Sequence, residues 1–214
     1  MNYNRTDIIT SLATTPGISA ISIIRISGKN LRVLLQAVTG KKTFKNRYAD
    51  YCTIFSKDKQ KILDKCILIY YMAPKSYTGE DIAEINCHGG YAVSNAILNM
   101  LYDHGVKPAF PGEFSYRAFL NNKIDLIEAE AISNLINSSS QYSQEIIIDH
   151  INKRLTNKII NINAQIIQIL TIIEHELDFS EDEIDHTTNE SILDIVNNIS
   201  TVINEYLKNK KLVK

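Results

Sequence analysis

Neither glycine nor proline occurs after Gly112, although the chain runs on to Lys214. Both residues break helices and punctuate turns. The second half therefore reads as continuous helix, and the first half, which holds all 8 glycines and all 4 prolines, as the loop-rich part. Charge of either sign in excess is also lacking: 23 Lys and Arg face 24 Asp and Glu, a net charge of -1. That excludes the markedly basic footprint of a dedicated nucleic-acid-binding domain. No apolar run reaches the roughly 18–20 residues that span a bilayer. The opening Met1 to Asp7 has no charged start, apolar stretch or cleavage site of a signal peptide.

Other absences exclude chemistry. There is no GxxxxGK[ST] phosphate loop, since Gly40-Lys41-Lys42 has Leu35 where a glycine is required, and no GxGxxG. The five histidines form no metal-binding spacing, and no GxSxG nucleophile elbow occurs. Cys52, Cys66 and Cys87 are odd in number and form no CxxC. They read as reduced thiols packed in strands, which points to a cytoplasmic protein.

What is present divides near residue 120. Ala20 to Ile26, Tyr48 to Phe55, Lys65 to Tyr71, Ile82 to Cys87 and Val106 to Phe110 read as strands, the second and third adjacent and antiparallel. Leu31 to Val38 has helical spacing and stops at Gly40. A second helix follows Gly89-Gly90, with Val93, Ile97 and Leu101 inward. Beyond the divide, Ile124, Ile127, Ile132, Leu135 and Ile136 suit one helix. Ile147, Ile151, Leu155, Ile159, Ile162, Ile166, Ile169, Ile173 and Leu177 then form a seam at spacings of three and four, a helix of about 50 Å. After an acidic break, Ile192, Ile195, Ile199, Val202 and Tyr206 define a last helix. Three helices of this kind leave apolar surface seeking a partner.

Two segments carry more polar chemistry than packing needs. One runs from Pro74 to Asp81, continues through Glu84 and ends in Cys87-His88-Gly89-Gly90; the other runs from Pro111 to Leu126. A strand ending in two glycines at a helix start leaves room for a ligand beside exposed N–H groups. A tight strand-to-helix turn explains the same glycines. A capped helix at a domain junction explains the second segment. From the residues alone, both remain candidate walls of a ligand pocket.

Read in order, these segments resemble the signature of the MnmE (TrmE) family of tRNA-modifying GTPases. The matching blocks are Ala13-Thr14-Thr15-Pro16-Gly17, Arg25-Ile26-Ser27-Gly28, Ser76 to Asp81, His88 to Gly90, Pro111 to Leu126, and Asp178 to Ile184. Ser19 stands where the family has a second glycine, which stiffens that turn.

The resemblance implies an α+β chain. Residues 1–120 would form a mixed domain like the folate-binding fold of aminomethyltransferases, and 121–214 the first part of a helical bundle, incomplete as it stands. It further implies binding of 5-formyl- or methylene-tetrahydrofolate through Arg25, Glu84 and Lys123. Glu84 suits the paired N–H donors of a pterin, and Arg25 and Lys123 suit the carbonyl and glutamate tail. No catalytic or metal-binding residue is implied.

The expected partners are a second copy, bound through the N-terminal domain, and the flavoprotein MnmG. The two would act together at C5 of the tRNA wobble uridine. GTP, Mg and K are implied only for a GTPase domain, which would begin where this chain stops; the family's C-terminal Cys-x-Gly-Lys motif is also missing, so the chain is expected to be a truncated form. A stand-alone one-carbon transferase and a non-catalytic assembly remnant are the alternative readings. Contact with tRNA is expected to be indirect or weak. The stretches Lys41, Lys42, Lys45, Arg47 and Lys208, Lys210, Lys211, Lys214 read as solvated loop and linker.

Overall fold

The computed structural model describes residues 6–137, 148, 154–178 and 189–210. The chain divides into two compact units, Met1–Ser133 and Asn134–Lys214. Six strands and six helices are found among the described residues, as expected of an α+β protein.

The strands are β1 (Ile9–Leu12), β2 (Ile21–Gly28), β3 (Ala49–Phe55), β4 (Ile62–Tyr71), β5 (Asp81–His88) and β6 (Lys107–Pro108). They form one sheet in the order β3-β4-β5-β2-β1-β6. All neighbours are antiparallel except β1 and β6. Helices α1 (Leu31–Thr39) and α2 (Tyr91–Asp103) pack on one face.

Strand alternation decides which side chains meet them. Ile24, Ile26, Leu68, Tyr70, Ala83 and Ile85 point into the core, with Leu31, Leu35, Ile97 and Leu101 from the helices. The alternate positions Ile23, Arg25, Tyr51, Ile67, Tyr71 and Glu84 are left to the other face. Cys52, Cys66 and Cys87 are all buried free thiols, one each on β3, β4 and β5.

Two glycines are fixed by close approach. At Gly89 a methyl group would lie 1.9 Å from the Ser19 carbonyl oxygen, so the turn before β2 rests directly on that backbone. Gly79 combines φ 77° with a side-chain stem packed over it, since a Cβ there would meet Lys123 Cγ at 3.1 Å.

Several sequence expectations need correction. β1 was not expected; it is short and lies in a run of Thr and Ser that hides its alternation. Of the expected Val106 to Phe110 strand only Lys107–Pro108 is strand, paired with β1 through the Lys107 and Ala109 N–H groups, which donate to the Ile8 and Thr10 carbonyls at 2.8 and 2.9 Å. Helix α3 (Glu113–Leu120) precedes α4 (Leu126–Asn137). In α4 the buried residues are Glu128 and Ala131, Ile127, Ile132 and Leu135 beside them are half-buried, and of the expected set only Ile136 is exposed, at 79%. The burial of Glu128, not expected of a carboxylate, goes with a reciprocal cap: Glu128 N–H donates to Asp125 Oδ1 and Asp125 N–H donates to Glu128 Oε2, both at 2.8 Å.

In the second unit, α5 (Arg154–Asp178) and α6 (Asn189–Lys210) are in contact. Leu155, Ile162 and Ile169 of the seam are half-buried, as are Ile192, Ile195, Ile199 and Val202. Ile159, Ile166, Ile173 and Leu177 are exposed, because a single partner helix covers only a narrow stripe. Ile147 and Ile151, and most of the acidic break, lie outside the described residues.

Candidate functional site

The open face of the sheet carries an ion pair at its centre. Arg25 of β2 and Glu84 of β5 are direct register partners. Arg25 Nε and Nη2 both donate to Glu84 Oε1, at 2.9 and 2.7 Å. The Tyr71 hydroxyl donates to the other oxygen, Oε2, at 3.1 Å. Burial raises the Tyr71 hydroxyl above its ordinary value, and the Glu84 charge adds to the rise, so it stays a donor at neutral pH.

Above the guanidinium stand two aromatic rings, Tyr77 from the loop before β5 and Phe114 from α3, each with its centroid 5.8 Å from Arg25 Cζ. Tyr77 is held there by a 2.8 Å bond to the Ser115 hydroxyl. Arg25, Tyr71, Tyr77, Ile82 and Glu84 line a cleft of about 220 Å³. A carboxylate flanked by a hydroxyl, a guanidinium and flat apolar surfaces suits a planar ring with adjacent N–H donors.

Sequence reasoning named Arg25, Glu84 and Lys123. The structure brings the first two together. Lys123 is exposed and outside the cleft lining, with its stem on Gly79 and its N–H bonded to the Ala118 carbonyl at 2.9 Å. Tyr71, Tyr77 and Phe114 were missed as site residues. Tyr71 lies two residues along β4 from Ile69, the register partner of Glu84, and shares its face, a placement that only the strand register reveals.

A second polar cluster explains the motif residues that are not in the cleft. Arg117 of α3 is buried and donates from Nη1 to Glu80 Oε2 at 3.1 Å and from Nη2 to Glu113 Oε1 at 3.0 Å. Thr78 donates to the Ser27 hydroxyl at 2.7 Å, and Ser27 donates to Glu80 Oε2 at 2.8 Å. Glu113 Oε2 accepts the Phe110 N–H at 2.8 Å, and Asn121 Nδ2 donates to the Thr78 carbonyl at 2.7 Å. This network fastens the loop of Tyr77 to the helix of Phe114. Its role is to position the two rings, and it borders a larger cavity of about 520 Å³.

At the end of β5, His88 Nδ1 lies 2.7 Å from Asp64 Oδ1, and the His88 backbone N–H donates to Asp64 Oδ2 at 2.8 Å. No group of three or more metal-ligating side chains is found among the described residues.

Comparison with known proteins agrees with this arrangement of parts. Residues 8–123 match the family model described as GTP-binding protein TrmE N-terminus, and residues 126–214 match the MnmE helical domain. The chain belongs to the MnmE family.

Relatives named tRNA modification GTPase MnmE include those of Aquifex aeolicus, 36% identical over 96% of this chain, and Fervidobacterium nodosum, 39% identical over 98%. That of Nitratiruptor sp. is 40% identical over 85%. The chain spans 46%, 45% and 40% of these MnmE relatives respectively, under half of each. Among the described residues no helix is long and apolar enough to cross a membrane.

Proposed function

We propose that this chain is the folate-binding and dimerisation part of a tRNA modification GTPase. The observation that carries the reading is the Arg25–Glu84–Tyr71 cluster beneath two aromatic rings. The paired N–H edge of a pterin matches the Glu84 carboxylate, and Tyr77 and Phe114 offer flat surfaces to its ring. Tyr71 holds the second carboxylate oxygen and keeps Glu84 turned into the cleft. Arg25 then leaves Glu84 and is free to meet the ligand's carbonyl. A part-exposed ion pair of this kind is worth about 1 kcal/mol or less, so the exchange costs little. Lys123 lies on the Gly79 side and serves the ligand outside the cleft.

The folate, when bound, supplies a one-carbon unit; 5-formyl- and methylene-tetrahydrofolate are the candidates. Residues 1–120 would form the folate unit and 121–214 the start of the helical domain. The whole protein would act in the cytoplasm with MnmG, installing a carboxymethylaminomethyl group at C5 of the wobble uridine.

A second copy would bind through the open sheet face, where Tyr51, Ile67, Asn86 and Ile23 follow one another across four strands. Tyr51 is 67% and Ile67 44% exposed, and Ile21 beside them 58%. An apolar row of that exposure on a sheet face suits a partner of the same kind.

Calorimetric titration with 5-formyltetrahydrofolate tests the folate reading. Saturable binding that Arg25→Ala and Lys123→Ala both weaken is expected. A folded chain that takes up no folate would sink the proposal.

A further inference from the structure

The cleft above Glu84 encloses about 220 Å³, whereas pockets that enclose a whole small ligand hold ~300–1,000 Å³. It accommodates the head of a ligand and leaves the remainder on the surface. Two neighbouring regions can receive that remainder, and they differ in charge.

The larger cavity is walled by three carboxylates, Glu80, Asp81 and Glu113, against two cations, Lys29 at its rim and Arg117. Its one buried cation, Arg117, is already held by Glu80 and Glu113. With Arg117 so engaged, the carboxylates outnumber the remaining cation, Lys29, and a run of added carboxylates is disfavoured there.

The region beside Tyr71 is of the opposite sign. Arg47 N–H donates to the Tyr70 carbonyl at 2.7 Å, which sets Arg47 against the end of β4 that carries Tyr71. Its Nη2 donates to the Lys75 carbonyl at 3.0 Å, tying it to the loop that carries Tyr77 two residues later. Tyr71 and Tyr77 are both cleft walls. Arg47 keeps φ 56°, a conformation that residues other than glycine seldom adopt.

Both Arg47 and Lys75 are exposed, and neither pairs with a carboxylate among the described residues. Lys41, by contrast, is bound to Asp50 at 2.9 Å. The basic stretch that reads in sequence as solvated loop is therefore split: Lys41 is used within the fold, and Arg47 is tied to the two segments that carry the cleft walls Tyr71 and Tyr77, with no carboxylate partner among the described residues.

We infer that Arg47 and Lys75 form a cationic rim that receives the anionic tail of the cleft's ligand, so that the site prefers a folate with a γ-linked oligoglutamate tail to one with a single glutamate. This rests on the folate reading of the cleft. Each added glutamate brings a carboxylate, and a planar guanidinium beside a mobile ammonium can follow a chain of them.

The test is titration of the full 214-residue chain with 5-formyltetrahydrofolate bearing one or about five glutamates, at low and high salt, beside the double variant Arg47→Gln, Lys75→Gln. The longer tail is expected to bind roughly ten-fold tighter at low salt, and the ratio to fall towards one at about 1 M salt. It should fall equally in the double variant, with its melting temperature confirming the fold.

Binding of both forms with equal affinity would overturn the inference and leave the folate reading intact. Failure of both to bind would remove the folate reading and the inference with it. An RNA hairpin whose affinity drops in the double variant, with no preference among folates, would assign the rim to a phosphate backbone instead.

Discussion

At the scale of single residues, the site separates side chains that meet a ligand from side chains that hold them. Glu84 is of the first kind. Glu84→Ala is expected to lower folate affinity roughly 10- to 100-fold, the worth of a hydrogen bond to a charged group, with little change in thermal midpoint. Arg117 is of the second kind. Arg117→Ala strands Glu80 and Glu113 without their cation and should cost about 3–5 kcal/mol in urea unfolding. A cost under about 1 kcal/mol would show that the network is dispensable. Cys87 provides a signal in pH. Burial pushes its thiol up to about 11 from an ordinary 9.0. The folded chain thus keeps its proton where the unfolded chain has lost it. Stability is whole below about pH 9, falls as pH rises towards 11, and levels off beyond. The slope over that window should flatten in Cys87→Ala, measured by urea midpoints at successive pH values.

At the scale of elements, the contact of Gly89 with the turn before β2 makes the sharpest forecast. Gly89→Ala drives a methyl group into the Ser19 carbonyl and should destabilise the first unit by at least about 2 kcal/mol. A neutral effect would mean that the turn moves freely away. The elements legible in the sequence were those with one buried face. β2 alternates cleanly, α1 ends at Gly40 with φ 71°, and the Tyr48 to Tyr71 region pairs antiparallel as its pattern implies. β1 was hidden because Thr10, though fully buried, is polar and bonds the Arg25 carbonyl through its hydroxyl. α4 was legible from its isoleucines, but the burial of Glu128 was not, since it depends on the Asp125-x-x-Glu128 cap. Glu84 stood in a candidate pocket segment from the residues alone, while Arg25 and the folate role of both came only through family resemblance; their adjacency depends on a register between strands far apart in sequence, which no local pattern encodes. Arg117 and Glu80 stood in plain view as motif residues, but whether such residues meet a ligand or each other is settled only by the fold.

At the scale of the whole molecule, the open face should govern association. The chain is expected to be dimeric by light scattering, and Ile67→Lys, which sets a charge in the middle of the apolar row, to make it monomeric. A chain already monomeric at high concentration would remove that interface. The Arg25–Glu84 pair has a further consequence for how the molecule can be handled. The pyrimidine half of a pterin contains an N–C(NH2)–N unit, which is the skeleton of guanidine. Arg25 thus occupies the carboxylate with the same chemical edge that a ligand would present, as a built-in competitor. Free guanidinium ion has that edge too. Well below denaturing concentrations, guanidinium chloride should compete with folate at Glu84, whereas urea at equal strength and sodium chloride at equal ionic strength should displace far less. A common chaotrope would act on this protein first as an inhibitor.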